Sequence, residues 1–315
     1  MLHVQTASRL HFGLLSLPHA GEGGRPARRF GGVGLMVERP GLRLSAAPGS
    51  GWSAEGPLAG RALAFARRFG DGPPLRLVVD QAAPEHAGLG TGTQLGLAVG
   101  RLLAAAWGLD LSAAELARRV GRGLRSALGV YGFEQGGFLV EAGKRDDDAL
   151  SPLVARVAFP EGWRLVLALP RQAPGLHGTD EQAAFRRLSE EVAVMPTDAL
   201  CRLVLLGMLP ALAERDLPAF GEVLFDFNAR VGEAFARVQG GPYAGPQVSK
   251  LVAFLHGQGV QGVGQSSWGP AVFAVVGDED RAADLAERVR RQFGLSADEA
   301  FVTRACNCGA TVESY

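Results

Sequence analysis

The 315-residue sequence predicts an α+β protein of two lobes. Three observations carry that expectation. Short apolar or alternating runs, separated by Gly and Pro, intermix with helical patterns throughout the first half. The most polar segment, KRDDDALSP at 144–152, reads as a surface connection that divides residues 1–150 from 151–315. The closing stretch runs helix, loop, strand, helix, strand, the order of an α+β plait.

In the first half, LHVQTASRLHFGLLSL, GVGLMVE, GLRLSAA and LRLVVDQ have the length and alternation of strands. Between the last two, LAGRALAFARRFG sets Leu58, Ala62, Phe65 and Phe69 on one helical face and stops at Gly70, a suitable residue for a helix C-terminus. From Thr93, the recurrence of Leu95, Val99, Leu102, Leu103 and Ala106 predicts a buried helix ending near Gly108. A further helix, SAAELARRVGRGLRSALG, opens at Ser112 with Glu115 three positions on, the pattern of a capping box. GVYGFEQGGFLVEAG then reads as a glycine-punctuated turn followed by a strand.

In the second half, RVAF and RLVLALP read as strands. Helices follow in TDEQAAFRRLSEEV, TDALCRLVLLGMLPALAERD and LPAFGEVLFDFNARVGEAFARV, with Pro210 expected to kink or end the middle one. GPQVSKLVAFLHGQG is a helix, QGVGQSSWGP a glycine and serine loop, AVFAVV a strand, DEDRAADLAERVRRQFG a helix and AFVTRA a strand.

Composition removes several function classes. Thirty-two basic residues cancel thirty-two acidic ones, so no global field draws the chain to nucleic acid or an anionic membrane. The N-terminus lacks a basic region ahead of its apolar run, and no stretch approaches the ~20 apolar residues of a membrane span. Three cysteines, an odd number in a long chain, argue against a disulfide framework and suit a reducing compartment, so a cytoplasmic protein is expected. Cys306 and Cys308 have the spacing of half a metal site, but no second Cys or His cluster completes it, which favours a strand with two half-buried thiols.

The stretch APEHAGLGTGTQLGLAVG carries the strongest chemical signal. Gly88 and Gly90 permit a tight turn and close approach to a ligand, and the helix that follows offers unpaired amides and the positive end of its dipole. Thr91 and Thr93 add hydroxyls. The alternative is an ordinary strand-to-helix turn with threonine caps. The lysine of a P-loop is missing, and the spacing is not that of a dinucleotide fingerprint.

Pro84, Gly88, Leu89 and Gly90, followed by small hydroxyl residues, resemble the phosphate loop of the GHMP kinase superfamily. Further blocks, SRLHFGLLSL, RRFGGVGLMVERP, SALGVYGFEQGGFLVEAG, GLHGTDEQAAF and GVGQSSWGPAVFAV, are similar to the β-ribofuranosylaminobenzene 5′-phosphate synthase family, in order along nearly the whole chain. The resemblance implies a GHMP kinase-like fold, with an N-terminal lobe like domain 2 of ribosomal protein S5 and a ferredoxin-like C-terminal lobe. It also implies condensation of 5-phospho-α-D-ribosyl 1-diphosphate (phosphoribosyl diphosphate) with 4-aminobenzoate or 4-hydroxybenzoate, releasing carbon dioxide and diphosphate, an early step toward tetrahydromethanopterin. It suggests a homodimer, permits Mg2+ and implies no organic cofactor. The departures from the kinases point the same way: Thr91, Gly92 and Thr93 replace the Ser-Ser-Ala that follows the loop, and Glu134 is the sole acid where the kinases carry an aspartate.

On that reading the backbone of Gly88, Leu89, Gly90, Thr91 and Gly92, with Thr93, would hold phosphate. Arg9, Arg28 and Arg29 are candidate cationic partners, the alternative for each being a solvated surface arginine. His11 shares a strand face with Arg9 and would bind phosphate or transfer a proton, unless it simply packs. His86 lies in the loop itself. Glu134 would steady the cationic ribose or cap a neighbouring amide. Asp180 and Glu181 would bind ribose hydroxyls or magnesium, with helix capping as the default for acids in that position. Gln265, Ser266 and Ser267 offer polar groups in a turn, and Trp268 a flat face for a benzoate. Two other classes remain open from the residues: a small-molecule kinase using Mg-ATP, with Glu134 as its carboxylate, and a non-catalytic phosphosugar sensor.

Overall fold

The computed structural model describes residues 1–16, 28–146, 149–170 and 196–314. Two sheets organise them. The first has seven strands: β1 (Leu2–Leu14), β2 (Gly32–Pro48), β3 (Ser53–Glu55), β4 (Leu75–Gln81), β5 (Phe138–Glu141), β6 (Leu153–Val157) and β11 (Thr311–Ser314). Its spine runs β11-β1-β2-β4-β3, and β5 pairs with β2 on one side and β6 on the other. The second is an antiparallel sheet of β7 (Arg164–Ala168), β8 (Gly262–Gln265), β9 (Val272–Val276) and β10 (Ala300–Thr303), in the order β10-β7-β9-β8.

The expected strands at 32–38 and 41–47 are one strand, β2, despite Pro40 and Gly41. The ladder with β1 is irregular there: between the pairs Thr6–Leu42 and Ser8–Val37, β1 has the single residue Ala7 where β2 has residues 38–41, and the Ser8 hydroxyl accepts from the Gly41 N–H at 3.1 Å. Helix α1 (Ala59–Phe69) and the buried α2 (Thr91–Ala106) stand where the periodicity predicts. Helix α3 (Ala113–Val120) has the full capping box: the Ser112 hydroxyl accepts from the Glu115 N–H at 3.3 Å, and the Glu115 carboxylate accepts from the Ser112 N–H at 2.8 Å.

Two expectations fail next to it. Helix α3 does not run on to 129; Gly121, left-handed at φ 68°, ends it, and residues 121–127 form a loop. The turn expected at 129–137 is instead helix α4 (Leu128–Gln135). Its glycines allow contact: a Cβ on Gly132 would lie 2.2 Å from the Met36 sulfur of β2, so only glycine lets the helix lie so close to the sheet.

Beyond 196 come α5 (Thr197–Leu203), a π-helical turn (Val204–Met208), α6 (Leu209–Glu214), α7 (Leu217–Gln239), α8 (Pro246–Gly257) and α9 (Glu279–Phe293). The helical run expected over 197–214 is irregular rather than uniform: a π-helical turn (Val204–Met208) separates α5 from α6, and Pro210 sits in the first turn of α6, directly after it. The loop expected at 261–270 begins instead with strand β8, whose glycines let α7 approach until a Cβ on Gly264 would lie 2.6 Å from the Asn228 side chain. The cysteine segment lies between β10 and β11 rather than in a strand, with the Cys306 and Cys308 sulfurs 3.6 Å apart. The helix expected at 179–192 falls outside the described residues.

The chain does not divide cleanly at 150. Strand β6 completes the first sheet beside β5, and β11 returns from the end of the chain to pair with β1. Alternation in β7 links the lobes. Leu165 and Leu167 face a central core shared with Leu10, Phe12, Val33 and Leu35 of the first sheet and with Phe220, Leu224 and Phe227 of α7. Val166 and Ala168 face the other way, onto α8 and α9. A third core packs α1, α2 and α3 against Leu42, Leu44, Leu77 and Val79.

Candidate active site

Where the two lobes meet, a cavity of about 680 Å³ opens between β1, α2, the 121–126 loop, α7 and the turn after β8. Its position follows from the glycine turn. Gly88 (φ 87°) and Gly90 (φ 70°) are left-handed, and Gly90 is the residue from which α2 springs. A Cβ on Gly88 would lie 2.1 Å from the Ser266 carbonyl oxygen, and one on Gly90 would lie 3.2 Å from the Arg9 guanidinium Nε. The turn is bare of side chains because a neighbouring loop and an arginine occupy the space.

A network of hydrogen bonds clasps the parts. The Ser266 hydroxyl donates to the Gly88 carbonyl at 2.7 Å and accepts from the His11 N–H at 2.9 Å. The Ser267 N–H donates to the His11 carbonyl at 3.0 Å, and the Arg9 N–H to the Leu89 carbonyl at 2.9 Å. The Thr91 hydroxyl donates to the Pro84 carbonyl at 2.9 Å, closing the turn from within. Asn228 of α7 bridges the lobes, its amide donating to the Phe12 and Gln265 carbonyls at 2.7 and 2.9 Å.

The lining is divided by chemistry. Arg9, Arg122, Arg125 and Lys144 supply its charge, with Thr93 and Ser126 among them; no carboxylate lines it among the described residues. Phe12, Leu14, Phe30, Val231, Phe235 and Trp268 supply an apolar wall, where Phe235 and Trp268 meet edge to face with ring centres 4.7 Å apart. His11 lies in the lining, 5 % exposed; burial, and secondarily the Arg9 charge, hold its pKa well below the usual imidazole value, so it is neutral near pH 7.

Residues 58–137 match the N-terminal domain of the GHMP kinases, and residues 208–295 their C-terminal domain. A β-ribofuranosylphenol 5′-phosphate synthase of Methanothermobacter thermautotrophicus is 34% identical over 88% of this chain and 89% of its own length. One of Archaeoglobus fulgidus is 31% identical over 99% of this chain and 100% of its own. The chain belongs to the β-ribofuranosylphenol 5′-phosphate synthase family. The fold also matches a mevalonate diphosphate decarboxylase of Staphylococcus aureus with a TM-score of 0.65 at 13% identity, over 100% of this chain and 99% of that one. Family membership makes the chain an enzyme built on the kinase fold.

Several residues singled out in the sequence converge on the synthase cavity: Arg9, His11, Thr93, Gln265, Ser267 and Trp268 all line it. Others support it from behind. Ser266 is the clasp between loops, Thr91 is engaged inside the turn, and the Leu89 side chain is in the core, 1 % exposed. Gln265 is itself held at both ends, accepting from the Ala244 N–H at 2.7 Å and donating to the Ser267 carbonyl at 2.8 Å. Gly92 is crossed by the guanidinium groups of Arg61 and Arg122, and Arg61 pairs with Glu85 in the glycine turn. His86 is left-handed in the turn but outside the cavity lining.

Three expectations are corrected. Arg28 donates to the Gly143 carbonyl at 2.9 Å and Arg29 to the Arg145 carbonyl at 3.2 Å, so both brace the turn that carries Lys144 instead of lining the cavity. Glu134 is exposed near the end of α4, its carboxylate accepting from the Ala113 N–H at 3.5 Å, and is thus at the N-terminus of α3. The cavity touches the opposite end of that helix, at Gly121, ~12 Å away at 1.5 Å per residue. Asp180 and Glu181 lie outside the described residues.

The sequence reading missed Arg122, Arg125, Ser126, Lys144, Phe30 and Phe235. The signal for the first three was GRGLRS: two glycines and two arginines directly after a capped helix. It also missed Glu141 on β5, which is fully buried. The Glu141 carboxylate accepts from the Ser126 hydroxyl at 2.5 Å and the Ala127 N–H at 2.7 Å, and burial pushes its pKa up to about 7 against the pull of those bonds and of Arg9.

Proposed function

We propose that the chain joins phosphoribosyl diphosphate to 4-hydroxybenzoate or 4-aminobenzoate, releasing diphosphate and carbon dioxide. The observation that carries this reading is the division of one cavity into a cationic region and an aromatic wall. Phosphates and the benzoate carboxylate suit the first, and the ring suits the second. The relatives are synthases of the ribofuranosylphenol phosphate, which favours the hydroxybenzoate.

In the reaction, the C1–O bond of the ribosyl donor breaks with its electron pair leaving on diphosphate. The ring carbon bearing the carboxylate bonds to C1, and the pair from the ring–carboxylate bond restores aromaticity as carbon dioxide departs. Arg9, Arg122, Arg125 and the N-terminus of α2 would stabilise the charge gathering on diphosphate. Trp268, Phe235 and Phe30 would hold the ring over C1 and shield the cationic ribose from water. Neutral His11 would serve as a hydrogen-bond partner rather than a fixed charge.

Among the described residues no cluster of three His, Cys, Asp or Glu side chains could hold a metal ion. Magnesium would enter bound to the donor's own phosphates, whose oxygens are hard ligands for it. The reading includes a cytoplasmic homodimer, checked by light scattering on the purified protein and by fractionation of cells.

The test is to incubate purified protein with phosphoribosyl diphosphate, magnesium and either benzoate labelled in its carboxyl group, and to measure released carbon dioxide and the ribosyl-arene phosphate. Release that requires both substrates and is lost in Gly90→Asp supports the reading. No release with either benzoate, together with ATP consumption on adding a small alcohol, would replace it with the kinase reading.

A further inference from the structure

Glu141 is a buried acid placed one hydroxyl away from an anion-accepting cavity. Its carboxylate is fully enclosed, yet Ser126, whose hydroxyl contacts it at 2.5 Å, lines the cavity beside Arg125 and Arg122. The same carboxylate accepts from the Ala127 N–H and hydrogen-bonds Ser151, whose hydroxyl accepts in turn from the Gly143 N–H at 2.7 Å, next to Lys144. One acid therefore ties together the two segments that carry Arg122, Arg125 and Lys144.

Its surroundings can be followed element by element. In the sheet it sits opposite Gly32 of β2 and Leu153 of β6, neither of which titrates. Arg9 reaches it electrostatically from β1 and Tyr131 from α4. His11 lies beyond Gly32 and is neutral.

We propose that Glu141 and Ser126 form a proton relay opening on the cationic part of the cavity, so that a polyanion bound there draws a proton from solvent onto Glu141. The physical reason is direct. With the cavity empty, Arg9 favours the ionised carboxylate; an incoming di- or triphosphate neutralises that cation and adds negative charge of its own, and the buried acid responds by protonating. Ser126 supplies the path, since a hydroxyl can accept a proton on one lone pair while releasing its own. Glu141 is thus a positioning residue that acts through Ser126. The inference rests on the reading that a phosphate-bearing molecule occupies the cavity.

The experiment is calorimetric titration of the full chain with inorganic diphosphate at pH 7.5 in two buffers of different ionisation enthalpy, which counts protons exchanged on binding. With Glu141 titrating at about 7, roughly a quarter of it is protonated at pH 7.5, and a rise of about one pH unit on binding makes that roughly three quarters. Wild type should take up about half a proton more than Glu141→Gln, the protons of diphosphate itself cancelling in the comparison. An infrared difference spectrum of the wild type should gain the carbonyl band of a protonated carboxyl on binding, a readout that does not depend on the variant folding.

Equal proton counts in the two proteins, or no carboxyl band, would overturn the relay while leaving phosphate binding intact. Absence of diphosphate binding by the wild type would overturn the relay together with the reading on which it rests.

Discussion

Replacing Gly88 with alanine tests whether the glycine turn is bare because a loop crosses it. The added Cβ would stand 2.1 Å from the Ser266 carbonyl oxygen and 3.2 Å from its carbon, both backbone atoms that cannot swing aside. Left-handed backbone at φ 87° adds ~1–2 kcal/mol for any residue with a Cβ. Forcing the two loops apart costs ~1–3 kcal/mol as overpacking. It also strains the Ser266 to Gly88 hydrogen bond, with a net value of ~1 kcal/mol. The sum is about 3–6 kcal/mol. Gly108 is the internal comparison, since it is left-handed at φ 67° but a Cβ there meets nothing within 4 Å. Gly108→Ala should therefore cost only ~1–2 kcal/mol for the backbone. The two variants, followed by urea unfolding, should differ by about 2–4 kcal/mol, and Gly88→Ala alone should raise the KM for phosphoribosyl diphosphate. Equal destabilisation by the two alanines, with an unchanged KM, would refute the account of the turn as a crossing point of loops.

Trp268→Ala removes the ring that packs edge-on against Phe235, and should raise the KM for the benzoate about tenfold while leaving the donor KM within about twofold, as steady-state kinetics would show. For His11 the folded-state pKa is depressed, so as pH falls below ~6.5 the unfolded chain takes up a proton that the native site refuses. Wild type should lose stability between pH 6.5 and 5.5 more steeply than His11→Gln, by up to ~1.4 kcal/mol per pH unit, measured by urea unfolding at each pH. Glu134→Gln should leave kcat and KM unchanged in the same assays, because its carboxylate reaches only the start of α3.

The phosphate turn was legible because its signal is local: two glycines, a helix of apolar period and the proline before them lie within one short stretch. What the sequence hid is long-range. Glu134 and Glu141 are seven residues apart in one block, and nothing local distinguishes them. The sheet does, by setting Glu141 opposite Gly32 between β2 and β6, while Glu134 ends up exposed at the end of a helix. Arg122 and Arg125 were concealed by helical periodicity that runs through Gly121, though the chain leaves the helix there. Lys144 sits in the most polar segment of the sequence, which suggests solvent, but the Arg29 to Lys144 backbone pairing turns that residue inward until it is 4 % exposed. Strand β8 was mistaken for a loop because its glycines serve close packing against α7 rather than a turn.

The burial of Glu141 has a consequence for stability that opposes its role at the cavity. Its folded-state pKa is raised from the ordinary carboxylate value of 4.5 to about 7, so between those values the native protein holds a proton that the unfolded chain has released. Stability contributed by this group is therefore full below about pH 4.5 and declines as pH rises through 7, where the ionised form costs on the order of 3 kcal/mol. Glu141→Gln keeps the shape and can still accept from the Ala127 N–H, so relative to wild type it should gain stability between pH 5 and pH 8, by urea unfolding. A difference between the two proteins that is the same at both pH values would refute this. A carboxylate that destabilises the fold at neutral pH, where an amide of the same size would fit, is explained by what it does for the cavity: it holds in register two segments carrying three of its four cations, and titrates in the range where a bound polyanion can change its charge.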